Sequence, residues 1–476
     1  MMEFKFLFAL LSPILIGCLS LHLILPNFGS SNRWPGIFWK LFLGTGLGLA
    51  LISLLYYSWS VVFNPAAFFT VLMLIELFVV GALFVTCIRR KEYRTDQESY
   101  FLPRDGVNKL LAIAASLLLI LLFVNYFEDW IRATLTTPYG DWDAWAIWNL
   151  RAGFIASGEG WSSGFAEAIS WSHPDYPLLL PLNIARLWVL LGDRSVWAPI
   201  LVSFIFQISL LGFLITSLQL LRGYIQGILA GLVGVLVLFA SLSFKLYADI
   251  PIAFYFLAAN CLVFLSESES DAKYNLSLLT GLLIGAALWT KNEGWAMLAA
   301  TVITKLILDF SNRKSISRSK KWWGYFLLGV SPFLLATIHF NIIYAPPGDL
   351  LKDISIGGIA SSVLSPGRYL VIFRFVKDQF LEYGNLILPL VPLMIIYALT
   401  AGLSIPIGQK KAVISLALRI TLLASFYFLV YLITPKDLTW HLGTSLERLV
   451  THIFPSFILL FFLVVSPPGR EEPVLA

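Results

Sequence analysis

Residues 108–127, NKLLAIAASLLLILLFVNYF, are followed closely by residues 139–160, YGDWDAWAIWNLRAGFIASGEG. A run of about 20 apolar residues is long enough to cross the hydrocarbon of a bilayer as a helix. Just beyond it stand two carboxylates, Asp141 and Asp143, among the rings of Tyr139, Trp142, Trp145 and Trp148. Charge this close to lipid is costly, so both aspartates are expected at a water-facing functional surface.

The rest of the chain repeats the apolar theme. Of 476 residues, 58% are hydrophobic and only 13% charged, and the mean hydropathy is +0.81. An ordinary soluble domain carries about 25% charged residues, so a polytopic membrane protein is the expectation. The net charge of +5 comes from basic residues clustered in short loops between apolar runs. That is the usual cytoplasmic excess of Lys and Arg, and no nucleic-acid partner is inferred from it. Cys18, Cys87 and Cys261 lie apart in apolar stretches with no metal-ligand spacing, and all three read as structural. The first run, from Phe4 to Pro26, is longer than a signal-peptide core and reads as a retained span.

Apolar length predicts an all-α bundle of about thirteen spans, over 4–26, 36–57, 66–88, 108–127, 197–221, 224–243, 251–266, 276–290, 295–310, 323–344, 384–402, 412–433 and 453–467. Basic clusters at Arg89, Arg90, Lys91 and Arg94, at Arg313, Lys314, Arg318, Lys320 and Lys321, and at Lys410 and Lys411 orient the bundle. With these inside, loop 128–196, the turns at Asp249 and Lys291, and loops 345–383 and 434–452 fall together on the outer face, as does the N-terminus. The C-terminal GREEPVLA falls in the cytoplasm, and ESESDAK at 267–273 reads as a solvated cytoplasmic turn. The segment 178–191, LLLPLNIARLWVLL, breaks this parity if it crosses, so it reads as a juxtamembrane helix lying in the interface. Three units follow: a three-span extension over 1–106, a main module over 107–467 containing outer loop 128–196, and a tail over 468–476.

Polar sequences converge on that outer face: Asp141-Trp142-Asp143, His173-Pro174-Asp175-Tyr176-Pro177, Lys245 with Asp249, Lys291 with Glu293, and His441 with Glu447 and Arg448. A carboxylate can take a proton from an attacking hydroxyl or amine, while Lys and Arg stabilise a departing phosphate. One base with one or two cations therefore suffices for inverting displacement at a sugar carbon, as in inverting glycosidases. Each residue also has a plainer reading. Asp141 and Asp143 could cap the helix beginning near Ala144, and Trp142 and Trp145 could belong to an interfacial belt. Asp249, two residues before Pro251, could simply open a helix, and Lys291 could close one. His173, before a proline, is expected to be extended. Arg448 reads as a loop residue for phosphate or for pairing with Glu447.

The succession of Asp143, Gly158 within ASGEGW, HPDYPLLLPL and DRSVWAPILVSF resembles the first outer loop of GT-C type membrane glycosyltransferases. That group includes the protein O-mannosyltransferases and the lipid A aminoarabinose transferases. FKLYADIPIAFYF is similar to the family's second acidic turn, GLLIGAALWTKNEGW to its glycine-rich helix ending in lysine, and HLGTSLERLVTHIFP to its C-terminal arginine-then-proline segment. The resemblance runs over about residues 107–467, and it departs at Asp143-Ala144, where members usually show Asp-Glu, and at the three additional spans. It implies sugar transfer from a polyprenyl-phosphate donor at the non-cytoplasmic face, to a glycan, lipid or protein acceptor. Asp143 or Asp141 would be the base. Lys291, Arg448 and Lys245 would meet the donor phosphate. His173, Asp175, Tyr176, Asp249, Glu293, His441, Trp142 and Trp145 would line the substrate site. No cofactor is implied, since aspartates without a third ligand hold magnesium or manganese only weakly. The rival expectations are a transporter or flippase for a lipid-linked sugar, which would want ionisable groups near mid-bilayer, and a non-catalytic scaffold.

Overall fold

The computed structural model describes residues 2–468 apart from 27, 29–32, 67–68, 90–105, 241, 269–272, 312–315, 349–354 and 385–388. Of the basic clusters, Arg90, Lys91, Arg94, Arg313 and Lys314 lie outside the described residues, as do residues 269–272 of ESESDAK and the GREEPVLA tail from Gly469 on. In chain order the helices are α1 (Met2–Ile24), α2 (Arg33–Val62), α3 (Phe69–Arg89), α4 (Gly106–Thr136), α5 (Leu150–Ser157), α6 (Leu179–Leu191), α7 (Trp197–Arg222), α8 (Tyr224–Ala240), α9 (Asp249–Glu267), α10 (Lys273–Leu288), α11 (Gly294–Ser311) and α12 (Ile316–Ile343). There follow α13 (Ile356–Val363), α14 (Pro366–Glu382), α15 (Leu390–Ala401), α16 (Lys410–Ile433) and α17 (Leu438–Val464). No strand occurs among the described residues, only an isolated bridge between Leu403 and Val465.

Among the described residues, ten helices are long and apolar enough to cross a membrane, or eleven if the bent pair α13 and α14 counts as one span. They coincide with ten of the thirteen expected runs. The runs at 224–243, 276–290 and 384–402 correspond instead to shorter apolar helices, of which Lys273–Leu288 has 16 residues. At 1.5 Å per residue that is about 24 Å, short of the roughly 30 Å hydrocarbon core. The stretch 345–383, expected as a loop, holds α13 and α14, which meet at 65°.

Two further expectations are corrected. The last helix begins at Leu438, not near 453, so His441, Glu447 and Arg448 are helical rather than loop residues. Asp437 starts it by accepting a hydrogen bond from the Trp440 amide at 2.8 Å, and Leu442, Leu446 and Ile453 continue its apolar stripe. The polar residues between them mask that stripe when hydropathy is averaged. Helix α6 does not lie on a surface either: it is buried along nearly its whole length, packed against α1, α2, α5 and α7. Its Arg186 has no need to reach outward, because Glu76 of α3 meets it inside. The Arg186 Nε donates to Glu76 Oε1 at 2.8 Å, Nη1 to the Ala9 carbonyl at 3.0 Å and Nη2 to Ser12 Oγ at 2.7 Å. The first three helices are thus fastened to the main bundle through a fully satisfied polar knot, seconded by Trp39 Nε1 donating to Ser217 Oγ of α7 at 3.0 Å.

The centre of the bundle is α9, buried from Asp249 to Ser266 and surrounded by α7, α10, α16 and α17. Apolar side chains on the outer helices, such as Leu74 and Phe78 of α3 and Leu110 and Leu117 of α4, are exposed, as lipid-facing surfaces require. Helices α10 and α12 pack closely where Gly281 faces Gly329. A Cβ on Gly281 would stand 2.2 Å from the Phe326 carbonyl oxygen. Small residues allow such close approach in membranes. Gly281→Leu is therefore expected to destabilise the protein by about 1–3 kcal/mol, read as a lowered midpoint of thermal unfolding in detergent; an unchanged midpoint would refute this contact.

Candidate active site

The site begins where α4 ends. Gly140 adopts a left-handed conformation (φ 73°) that leaves no room for a side chain, since a Cβ would lie 2.6 Å from the Lys245 carbonyl oxygen. The Asp141 amide donates to that same carbonyl at 3.2 Å, which docks this turn on the segment leading into α9. From Ala144 to Asn149 the chain forms a π-helical turn, a geometry found often at functional sites. Asp143 precedes it without capping it through its side chain. Its carboxylate turns away instead, and Oδ2 lies 2.7 Å from Arg448 Nη1.

Arg448 connects this loop to the centre. Its Nε donates to Asp249 Oδ2 at 3.2 Å, and its guanidinium lies over the Tyr247 ring at 5.0 Å. Asp249, the first residue of α9, is wholly buried and gathers two more partners: Lys291 Nζ at 3.0 Å and His452 Nε2 at 2.6 Å, both on Oδ1. Lys291 reaches in from the turn after α10 and also holds Glu293 Oε1 at 2.9 Å. An unbroken chain of contacts thus runs from Asp143 through Arg448, Asp249 and Lys291 to Glu293. The termini of α9 and α10, the loop after α4 and α17 meet at one end of the bundle to make it.

Sequence reasoning missed His452. It stands four residues after Arg448 on one helix, and residues at that spacing share a face. The signal was present once 438–452 is read as helical. Because an aspartate only accepts when ionised, His452 donates to it from Nε2–H, which leaves Nδ1 to accept from the Tyr427 hydroxyl at 3.2 Å. Asn292 was also missed. It donates to Asp175 Oδ2 at 2.9 Å and so ties the 173–177 segment to the Lys291 turn. The third omission is Arg151, fully buried, with burial lowering it to about 10. It donates to the backbone carbonyls of Ser172 and His173. That grip accounts for the left-handed His173 (φ 49°) where an extended residue was expected.

Several expected residues stand outside the central chain of contacts. Asp141 pairs with Lys245 at 3.8 Å, both half exposed. His441 bonds Thr434 Oγ1 through Nδ1 at 3.0 Å. Trp142 and Trp145 are exposed and meet edge to face at 4.5 Å, with Trp171 at 6.3 Å from Trp142. Tyr176 stacks on Trp148 at 5.6 Å. Burial pushes up the hydroxyls of Tyr176 and Tyr247. Burial also raises the Asp175 carboxyl above its ordinary value, against the pull of His173, Arg151 and the Asn292 bond. Burial works the same way on Glu293, but there Lys291 prevails and holds the carboxyl below its usual range.

The cations of the site are not free. Lys291 and Arg448, expected to meet a phosphate, face three carboxylates, those of Asp143, Asp249 and Glu293. Among the described residues no group of three or more His, Cys, Asp or Glu is arranged to hold a metal ion. What the arrangement can do is exchange partners: an incoming anion can replace a carboxylate on Arg448 and so release an acceptor of protons. No family model matches the chain, and neither does any curated protein or solved structure.

Proposed function

We propose that the protein is a membrane glycosyltransferase of the GT-C type, which moves a sugar from a polyprenyl-phosphate-linked donor to an acceptor at the non-cytoplasmic face with inversion. The reading includes about thirteen spans, with the shorter helices α8, α10 and α15 counted among them, and the N-terminus outside. The observation that carries it is the pairing of Asp143 with Arg448 beside Lys291, which sets a proton acceptor next to two cations at the end of a lipid-facing bundle. The donor phosphate takes the place of Asp143 on Arg448. The freed carboxylate then accepts the proton of an acceptor hydroxyl or amine as that group bonds to the anomeric carbon. The bond from that carbon to the phosphate oxygen breaks, and polyprenyl phosphate departs with its charge held by Arg448 and Lys291. Asp249 fixes both cations in position, and the exposed Trp142, Trp145 and Trp171 offer stacking faces for a sugar.

A flippase for such a lipid is the second reading. Its support is Glu76, Arg186 and Arg419, ionisable residues buried among the helices. Yet Glu76 and Arg186 satisfy one another, and Arg419 is held by Asn260 Oδ1 at 2.9 Å and Ser415 Oγ at 2.7 Å, with Nη2 alone unpaired. Mass spectrometry of lipids that co-purify with the protein tests the donor class. A glycosylated polyprenyl phosphate is expected, converted to polyprenyl phosphate on addition of acceptor. Its movement across vesicles without conversion would establish the flippase instead.

A further inference from the structure

Two buried polar atoms of the site have no hydrogen-bond partner, and they have opposite needs: Arg448 Nη2 is a donor and Glu293 Oε2 an acceptor. Leaving such atoms unpaired in a buried place costs free energy, more so for charged groups. Their neighbours are already committed. Arg448 uses Nη1 and Nε on Asp143 and Asp249, and Glu293 uses Oε1 on Lys291. The two side chains are joined through Asp249 and Lys291 and retain 18% and 21% of their exposure, while Nη2 and Oε2 themselves are buried.

Resting on the donor reading above, we infer that Arg448 and Glu293 form a two-point reader for a phosphate diester whose esterified group carries its own hydroxyl or amine. Arg448 Nη2 donates to a phosphate oxygen. Glu293 Oε2 accepts from a hydroxyl or ammonium of the sugar. Inorganic phosphate or a simple alkyl phosphate answers only the first need, so Glu293 is the residue that makes the site recognise a sugar and not merely an anion. The bond from Lys291 to Oε1 holds one oxygen of the carboxylate and leaves Oε2 without a partner.

The test measures binding of four probes to the full-length protein in nanodiscs: farnesyl methyl phosphate, which has the charge of the donor but no sugar, and the mannosyl, glucosyl and aminoarabinosyl diesters of farnesyl phosphate. At least one glycosyl diester is expected to bind about tenfold or more tightly than the methyl diester, the worth of one hydrogen bond to a charged group. Glu293→Gln is expected to abolish that advantage while keeping the affinity for the methyl diester within about threefold. Equal binding of all four probes to the wild type, or full retention of the preference in the variant, overturns the role of Glu293 and leaves the donor reading standing. Failure of the wild type to bind any diester overturns both. Should that variant not fold, Glu293→Asp, which withdraws the carboxylate by one methylene, is expected to lower the preference in its place, and full retention there overturns the role of Glu293.

Discussion

Asp143→Asn is expected to lower sugar transfer by about 10²- to 10⁴-fold, the usual contribution of a positioned general base. The amide keeps the size and shape of the carboxyl but cannot take a proton from the acceptor. Its pair with Arg448 is mostly buried, with 16% and 18% of the two side chains exposed, but Arg448 keeps Asp249 as a second counter-charge, so the loss of stability is expected at about 1–3 kcal/mol, that of one buried hydrogen bond to a charged group. Asp141→Asn is the internal control. Its partner Lys245 is half exposed and outside the central contacts, and transfer by this variant is expected to stay within a few-fold of the wild type. Near-normal turnover in the purified Asp143→Asn protein would reject the base assignment, and a collapse of activity in Asp141→Asn alone would move that assignment to the other aspartate.

Asp249→Asn is expected to act in the opposite manner, on the fold before the chemistry. The carboxylate is wholly buried and is shared by Lys291, Arg448 and His452. Removing one partner of a buried charged set strands the others, at a cost of about 3–5 kcal/mol. The Asn side chain can still accept from one of the three but cannot balance two cations. Thermal unfolding in detergent should show a clearly lower midpoint than for Asp143→Asn, together with weakened donor binding, because Lys291 and Arg448 lose the anchor that fixes them. A midpoint equal to that of the wild type would mean that Asp249 is not the hub of the site.

The long apolar helices were legible because length and hydropathy alone define them, and ten expected runs reappear, all but the last at nearly the same places. The errors arose where polar residues ride on a helix for a reason outside the local sequence. Arg448 and His441 diluted the hydropathy of 438–452, and only the partners waiting at Asp249 and Thr434 explain why polar groups belong there. Arg186 gave the appearance of an interfacial helix because its counter-charge, Glu76, is 110 residues away in sequence. At the site, the residue types and their order picked out Asp143, Asp249, Lys291, Glu293 and Arg448, and the structure joins them. It could not be read from order that the cations would already be engaged by carboxylates. His452 was hidden by the mistaken loop, and Asn292, although quoted within WTKNEGW, gave no sign of its bond to Asp175.

The tie between Glu76 and Arg186 also sets a timetable for biosynthesis. The ribosome delivers α3 to the membrane well before α6 exists, and at about 5–20 residues per second the 110-residue interval lasts roughly 5–20 s. Throughout that interval the nascent chain carries an acidic side chain among lipids with no basic companion. A chain truncated before Arg186 would leave Glu76 to the Ser12 hydroxyl, without the guanidinium that pairs with it in the folded protein.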